Sequence, residues 1–221
     1  MEYELVRSRR RTVAIVIRRD GSVEVRAPYR TSKADIARFV RQKESWIAEK
    51  SGQMRKIAQA RERFVLCLGS YVLFLGREYP LIPGEHAELG NSGIMVTGRT
   101  DEILRKQVEE IFRNQAKKIL SARVRYFSEQ LGESPSSIKI TGAKTRWGSC
   151  SARRSISFSW RLLMAPPEAF DYVVVHELAH LKELNHSPEF WREVARILPD
   201  YLDRRETLKP LQKRLWEEGW L

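Results

Sequence analysis

The segment HELAHLKELNH, from His176 to His186, carries three of the four histidines in the 221-residue chain. In a helix, side chains four positions apart share a face, so His176 and His180 can present two imidazoles to one zinc ion, Zn2+. Glu177 then stands beside the metal. A carboxylate there can take a proton from a zinc-activated water, which is the chemistry of metal-assisted peptide hydrolysis. The competing reading is a pair of ordinary helix histidines. Against it, Phe170, Val173, Val174, Leu178, Leu181 and Leu184 form one apolar stripe with Glu177 near its centre. A carboxylate buried there without a partner would cost on the order of several kcal/mol.

A helix running on to position 186 would turn the ring of His186 away from the other two, so the helix must break first. Asn185 is expected to end it by entering the left-handed conformation. Ser187, Pro188 and Glu189 then read as the cap, first-turn proline and early acid of a new helix. His186 is the expected third ligand, with Glu189 or Glu193 as alternatives, since two histidines and a glutamate also hold zinc. The spacing HExxHxxxxxH is shared with metzincins. Glu183 occupies their glycine position, however, and no methionine follows His186.

The elements that must position these residues can be read from pattern. The runs 12–19 and 22–27 are expected to form a hairpin around Asp20-Gly21, followed by one helix from a cap at Thr31 or Ser32 into the low 60s. Short β-like runs at 64–69, 71–76, 79–82 and 94–97 complete a small sheet, with His86 in a solvated loop. A long helix spans about 101–131 and stops at Gly132. Two antiparallel strands, 138–141 and 154–164, flank the connection KTRWGSCSA. The metal helix is expected over 168–184, a second one over 190–198, and an amphipathic tail over 201–221 broken at Pro210. The fold class expected is α+β, with residues 1–100 as a basic, β-rich lobe carrying one helix and 101–221 as the catalytic domain.

A strand beside a metal helix is a common place to hold a peptide by strand addition. Arg146, Trp147, Gly148 and Ser149 are therefore candidate substrate-binding residues, with Cys150 near them as a partly buried thiol. Arg146 and Tyr201 are the candidate oxyanion stabilisers.

The net charge of +12 is unevenly placed, with 17 Lys+Arg against 8 Asp+Glu in residues 1–65, a balance of +9. Such a lobe attracts polyanions, so nucleic acid joins polypeptide and nucleotide among the expected partners. No apolar stretch reaches the roughly 18 residues that span a bilayer, which argues against a membrane role. The charged N-terminus lacks the apolar core of a signal peptide, and two cysteines make no disulfide framework. A cytoplasmic location is expected from these features.

With KTRWGSC, SWRLLMAPP and VVVHELAHLKELNHSPEFW in view, the chain resembles the YgjP-like metallopeptidase family, related to the SprT-like and WLM zinc peptidases. The resemblance covers nearly the whole length. It implies a gluzincin-like zinc hydrolase of zincin-like fold, its sheet packed on the HExxH helix. His176, His180 and His186 would be ligands and Glu177 the catalytic base. Two further functions compete with a metallopeptidase: hydrolysis of a nucleoside triphosphate phosphoanhydride, and a nucleic-acid-associated protease or non-catalytic zinc module.

Overall fold

The computed structural model describes residues 2–221 and is a mixed α+β structure. It divides into two compact units, one running to Phe64 and including Trp216–Gly219, the other containing Val65–Leu215 and Trp220–Leu221. The division falls at residue 64, whereas sequence pattern puts it near 100. No described helix is long and apolar enough to cross a membrane.

In the first unit, β1 (Glu4–Ser8) pairs parallel and β2 (Ala14–Ile17) antiparallel with the central β3 (Val23–Pro28). The expected hairpin is present, with Gly21 at φ +81° in its turn, and β1 is an addition that sequence reading omits. Val23, Val25 and Ala27 bury one face against Ile36, Val40 and Ile47. The expected single helix is two: α1 (Lys33–Gln42), capped by the Ser32 hydroxyl on the Asp35 amide, and α2 (Glu44–Arg63). The break falls at Lys43, and Val40 before it and Ile47 after it belong to the same core.

In the second unit, β4 (Tyr71–Phe74), β5 (Arg77–Pro83), β6 (Glu88–Leu89) and β7 (Ile94–Val96) form a four-stranded sheet in the order β4-β5-β7-β6. The run 64–69, expected to be β-like, lies wholly outside any strand, and His86 is exposed. This sheet packs with the C-terminal part of the chain, where the Leu75 amide bonds to the Leu163 carbonyl and Gly76 abuts Pro166. Helix α3 (Asp101–Leu131) ends on Gly132 in the left-handed conformation, as the sequence indicates. Its buried residues Leu104, Val108, Phe112, Ala116, Leu120 and Val124 recur at helical spacing and supply a long apolar wall.

Three short strands come next: β8 (Ser137–Thr141), β9 (Gly148–Cys150) and β10 (Ser155–Ser159). Here expectation and structure differ. β8 and β10 are parallel, and the antiparallel partner of β10 is β9, which lies inside the stretch expected to be a connection. Residues 160–164 leave the strand as a fully buried 3-10 helix. Helix α4 (Pro167–Ala179) opens on a first-turn proline and is buried on almost every side, which a single apolar stripe understates. It ends five residues before position 184, and Leu184 is 68% exposed instead of extending the stripe. Helix α5 (Pro188–Ile197) starts at the Ser187 cap. The tail is α6 (Tyr201–Glu206) and α7 (Leu208–Glu217), broken at Thr207, and Pro210 is accommodated in the first turn of α7.

Candidate metal centre

His176 lies in the last turn of α4 and His180 is the capping residue just after it, still in right-handed geometry. The chain then tightens, with the Lys182 and Glu183 amides both donating to the Ala179 carbonyl. Asn185 does not adopt a left-handed backbone. Among the described non-glycine residues only Leu75 and Arg154 have positive φ. The turn is made instead by the Asn185 side chain, whose Oδ1 accepts from the Ser187 amide at 3.1 Å. The result is the one the sequence requires, because His186 swings back. Potential ligand atoms of His176, His180 and His186 all lie within 4.8 Å of one another.

Geometry and chemistry both fit a cation. The Nε2 atoms of His186 and His176 are 3.1 Å apart. Two ligands on a tetrahedral zinc at about 2.0–2.1 Å would be separated by roughly 3.3 Å. The Nδ1 of His180 lies 3.0 Å from the Glu183 carbonyl, which can only accept, so this nitrogen carries the proton and Nε2 keeps its lone pair. Burial first, and the neighbouring His180 second, push His176 down to about 3, so it is a neutral imidazole at physiological pH. Glu189 and Glu193 are engaged elsewhere, on Arg192 and on Lys182 with Arg196.

Aromatic rings wall the cluster. The Phe190 ring centroid is 5.0, 4.5 and 4.8 Å from those of His176, His180 and His186. Trp191 stacks on His186 at 5.6 Å, and Tyr201 stacks on Trp191 at 5.3 Å. Sequence pattern marks Phe190 and Trp191 only as helix core and Tyr201 as a catalytic candidate. Their common role in the structure is to fix the imidazole that lies outside the helix.

Glu177 is 6% exposed, and burial pushes its carboxyl up to about 7, opposed by the nearby charge of Arg146. It faces Gly148 of β9. A methyl group at Gly148 would sit 2.6 Å from Glu177 Cγ and 2.7 Å from Oε1, so only glycine leaves room for this carboxylate. Arg146, Trp147 and Gly148 line a cleft of about 290 Å³ with His176 and Glu177. Ser149 does not line it, since its hydroxyl pairs with that of Ser157 across the strands. Cys150 is half-buried, and burial together with the Glu177 charge holds its thiol above the ordinary range, the opposite of an activated nucleophile. Tyr172 and Arg205 complete the cleft, and sequence pattern singles out neither.

The profile of the YgjP-like metallopeptidase domain matches residues 11–210. The chain belongs to the YgjP-like family. Membership supports a metal-dependent peptidase. No curated protein matches this YgjP-like chain. Two crystal structures of metallopeptidase zymogens are similar to it over 43% of its length. They are abylysin of Pyrococcus abyssi, 26% identical with 94% of that chain covered and a TM-score of 0.39, and jannalysin of Methanocaldococcus jannaschii, 24% identical with 96% covered and a TM-score of 0.37.

Two arginines brace the YgjP-like site from a distance. Arg154, strained at φ +61°, donates to the Leu181 carbonyl at 3.2 Å, in the turn between His180 and His186, and pairs with Glu133 at 2.5 Å. Arg161, 5% exposed, donates to the carbonyls of Trp220 and of Gly142, the latter in the loop leading to Arg146. No pattern of sequence spacing points to either.

Proposed function

We propose that the chain is a zinc peptidase with His176, His180 and His186 as ligands and Glu177 as general base. The observation that carries this reading is the meeting of three clustered imidazoles with one buried carboxylate at the edge of a cleft. Zinc, when bound, supplies Lewis acidity and brings the acidity of an accompanying water to near neutrality. The chain supplies the rest. Glu177, short of polar partners and facing bare backbone, accepts a proton and returns it to the leaving amine. Gly148 and its strand β9, at the edge of the β8-β10-β9 sheet, offer backbone groups to an extended peptide. Arg146 and Tyr172, which both line the cleft, are the donors assigned to the developing oxyanion. The sheet-on-helix arrangement is that of a zincin, supported by β9 lying against α4 through Gly148 and Glu177.

Metal content and turnover test this together. Wild-type protein should hold about one zinc per chain, and each of His176→Ala, His180→Ala and His186→Ala should lose it. Glu177→Gln should retain metal while hydrolysis of an unfolded polypeptide falls by a hundredfold or more, on the order of a lost general base. Hydrolysis of nucleoside triphosphates in place of polypeptide, abolished in the same variant, would refute the peptidase reading.

A further inference from the structure

We propose that the N-terminal unit binds single-stranded nucleic acid at the end of its sheet where β3 stops, independently of the histidine site. The three-stranded sheet is electrically polarised. Glu2, Glu4, Asp20 and Glu24 all lie toward one end, where Glu24 pairs with Arg18 and Arg26 and Glu4 with Arg18. Ser8 of β1 is in register with Pro28 of β3, and Ala14 of β2 with Arg26, so the β1–β2 loop and the residues after β3 share the opposite end. That end carries Arg9, Arg10 and Arg11 from the loop, then Tyr29, Arg30 and Lys33.

Arg9, Arg11, Arg30 and Lys33 are exposed, and none has an ion-pair partner among the described residues. The one acid nearby, Asp35, is engaged by Ser32 and Arg38. The frame around these cations is stiff. Arg7 donates to the carbonyls of Pro28, Tyr29 and Thr31 at 3.0, 2.8 and 2.8 Å, which ties β1 to the stretch holding Tyr29 and Arg30. Clustered cations without partners add like-charge repulsion and no internal bond, and an anion outside the chain relieves that repulsion.

Two features select a single strand. Tyr29 is 64% exposed between the cations, and Trp46 is 43% exposed in an apolar groove of about 330 Å³ shared with Ile15, Phe39 and Lys43. Arg11 is four residues from Ile15, a reach of at most about 14 Å, and Lys33 is six residues from Phe39, about 9 Å along the helix. A few nucleotides would therefore cover both, with phosphates on the arginines and bases stacked on Tyr29 and Trp46. Paired bases in a duplex cannot stack on such platforms; an anionic lipid surface also takes exposed aromatic rings beside cations, and the vesicles in the test below distinguish it.

The test uses the full chain with a labelled single strand of roughly 20 nucleotides, the matching duplex, and phosphatidylserine-rich vesicles. Anisotropy should show the single strand bound more tightly than the other two, with affinity falling as salt rises. The combined variant Arg9→Ala, Arg11→Ala, Arg30→Ala should lower the slope of log affinity against log salt by about 2. Trp46→Ala or Tyr29→Ala should weaken binding about tenfold and leave that slope unchanged, with circular dichroism confirming that each variant is folded. Lack of binding at low salt, an unaltered slope in the arginine variant, unaltered affinity in both aromatic variants, or tighter binding to duplex or vesicles would each overturn the proposal.

Discussion

In the N-terminal unit Arg9, Arg11 and Arg30 stand exposed with no ion-pair partner among the described residues, whereas in the histidine-bearing unit Arg154 and Arg161 each hold two backbone carbonyls. The same side chain serves opposite ends. A guanidinium held against carbonyls, buried at Arg161 and exposed at Arg154, satisfies polar backbone where strands and turns cannot pair with each other, and so fixes loops near a reactive centre. A guanidinium in solvent contributes little to folding and acts at a distance through its charge. A residue's contribution to stability therefore separates the two uses, and substitution should expose the difference.

The largest effect is expected at Arg161. Arg161→Ala abandons two backbone carbonyls and should destabilise the protein by about 3–5 kcal/mol in urea denaturation, the order expected when two acceptors lose a charged donor. A loss below about 1 kcal/mol, the ordinary effect of a surface substitution, would erase the contrast.

A gain is expected at Glu177. Its folded carboxyl releases its proton near pH 7 and its unfolded carboxyl near 4.5, so the metal-free fold loses stability as pH rises from 4.5 to 7. Glu177→Gln removes that penalty and should raise metal-free stability above pH 7 by about 3 kcal/mol, while abolishing turnover. Equal melting temperatures for the two proteins at pH 8 and at pH 4 would contradict the assignment. His176 has the opposite sign. Its folded value near 3 lies below the unfolded 6.5, so stability falls as pH drops through that interval, and His176→Gln should flatten the acid limb.

Arg154→Ala should act on metal more than on folding. Loss of the Leu181 contact loosens the turn that returns His186, and zinc affinity measured by chelator competition should fall about tenfold or more. The smallest effect belongs to the other unit, where Arg9→Ala or Arg11→Ala should leave melting within about 0.5 kcal/mol of wild type.

Much of the candidate centre is legible in the chain. The spacing of His176, Glu177 and His180, the Ser187-Pro188 restart and the Gly132 stop are each decided within a few residues, by helix periodicity and by caps that satisfy local amides. The hairpin at Asp20-Gly21 is local for the same reason. Asn185 turns the chain where expected but through its side chain, because an accepted hydrogen bond from Ser187 does the work without a strained backbone. The parallel alignment of β8 with β10, the early end of α4, the clearance at Gly148, the placement of Tyr172 and Arg205 in the cleft and the Arg154 tie all depend on which distant segments meet.

The residue types and their intervals determined by themselves that this chain could offer three imidazoles and a carboxylate to a cation, since one helix and one turn suffice to bring them round. Tertiary structure alone decided how dry that carboxylate is, which backbone it faces and which rings and guanidinium groups hold the third imidazole. Burial and close approach are properties of neighbours supplied by remote parts of the chain, and no local interval encodes them.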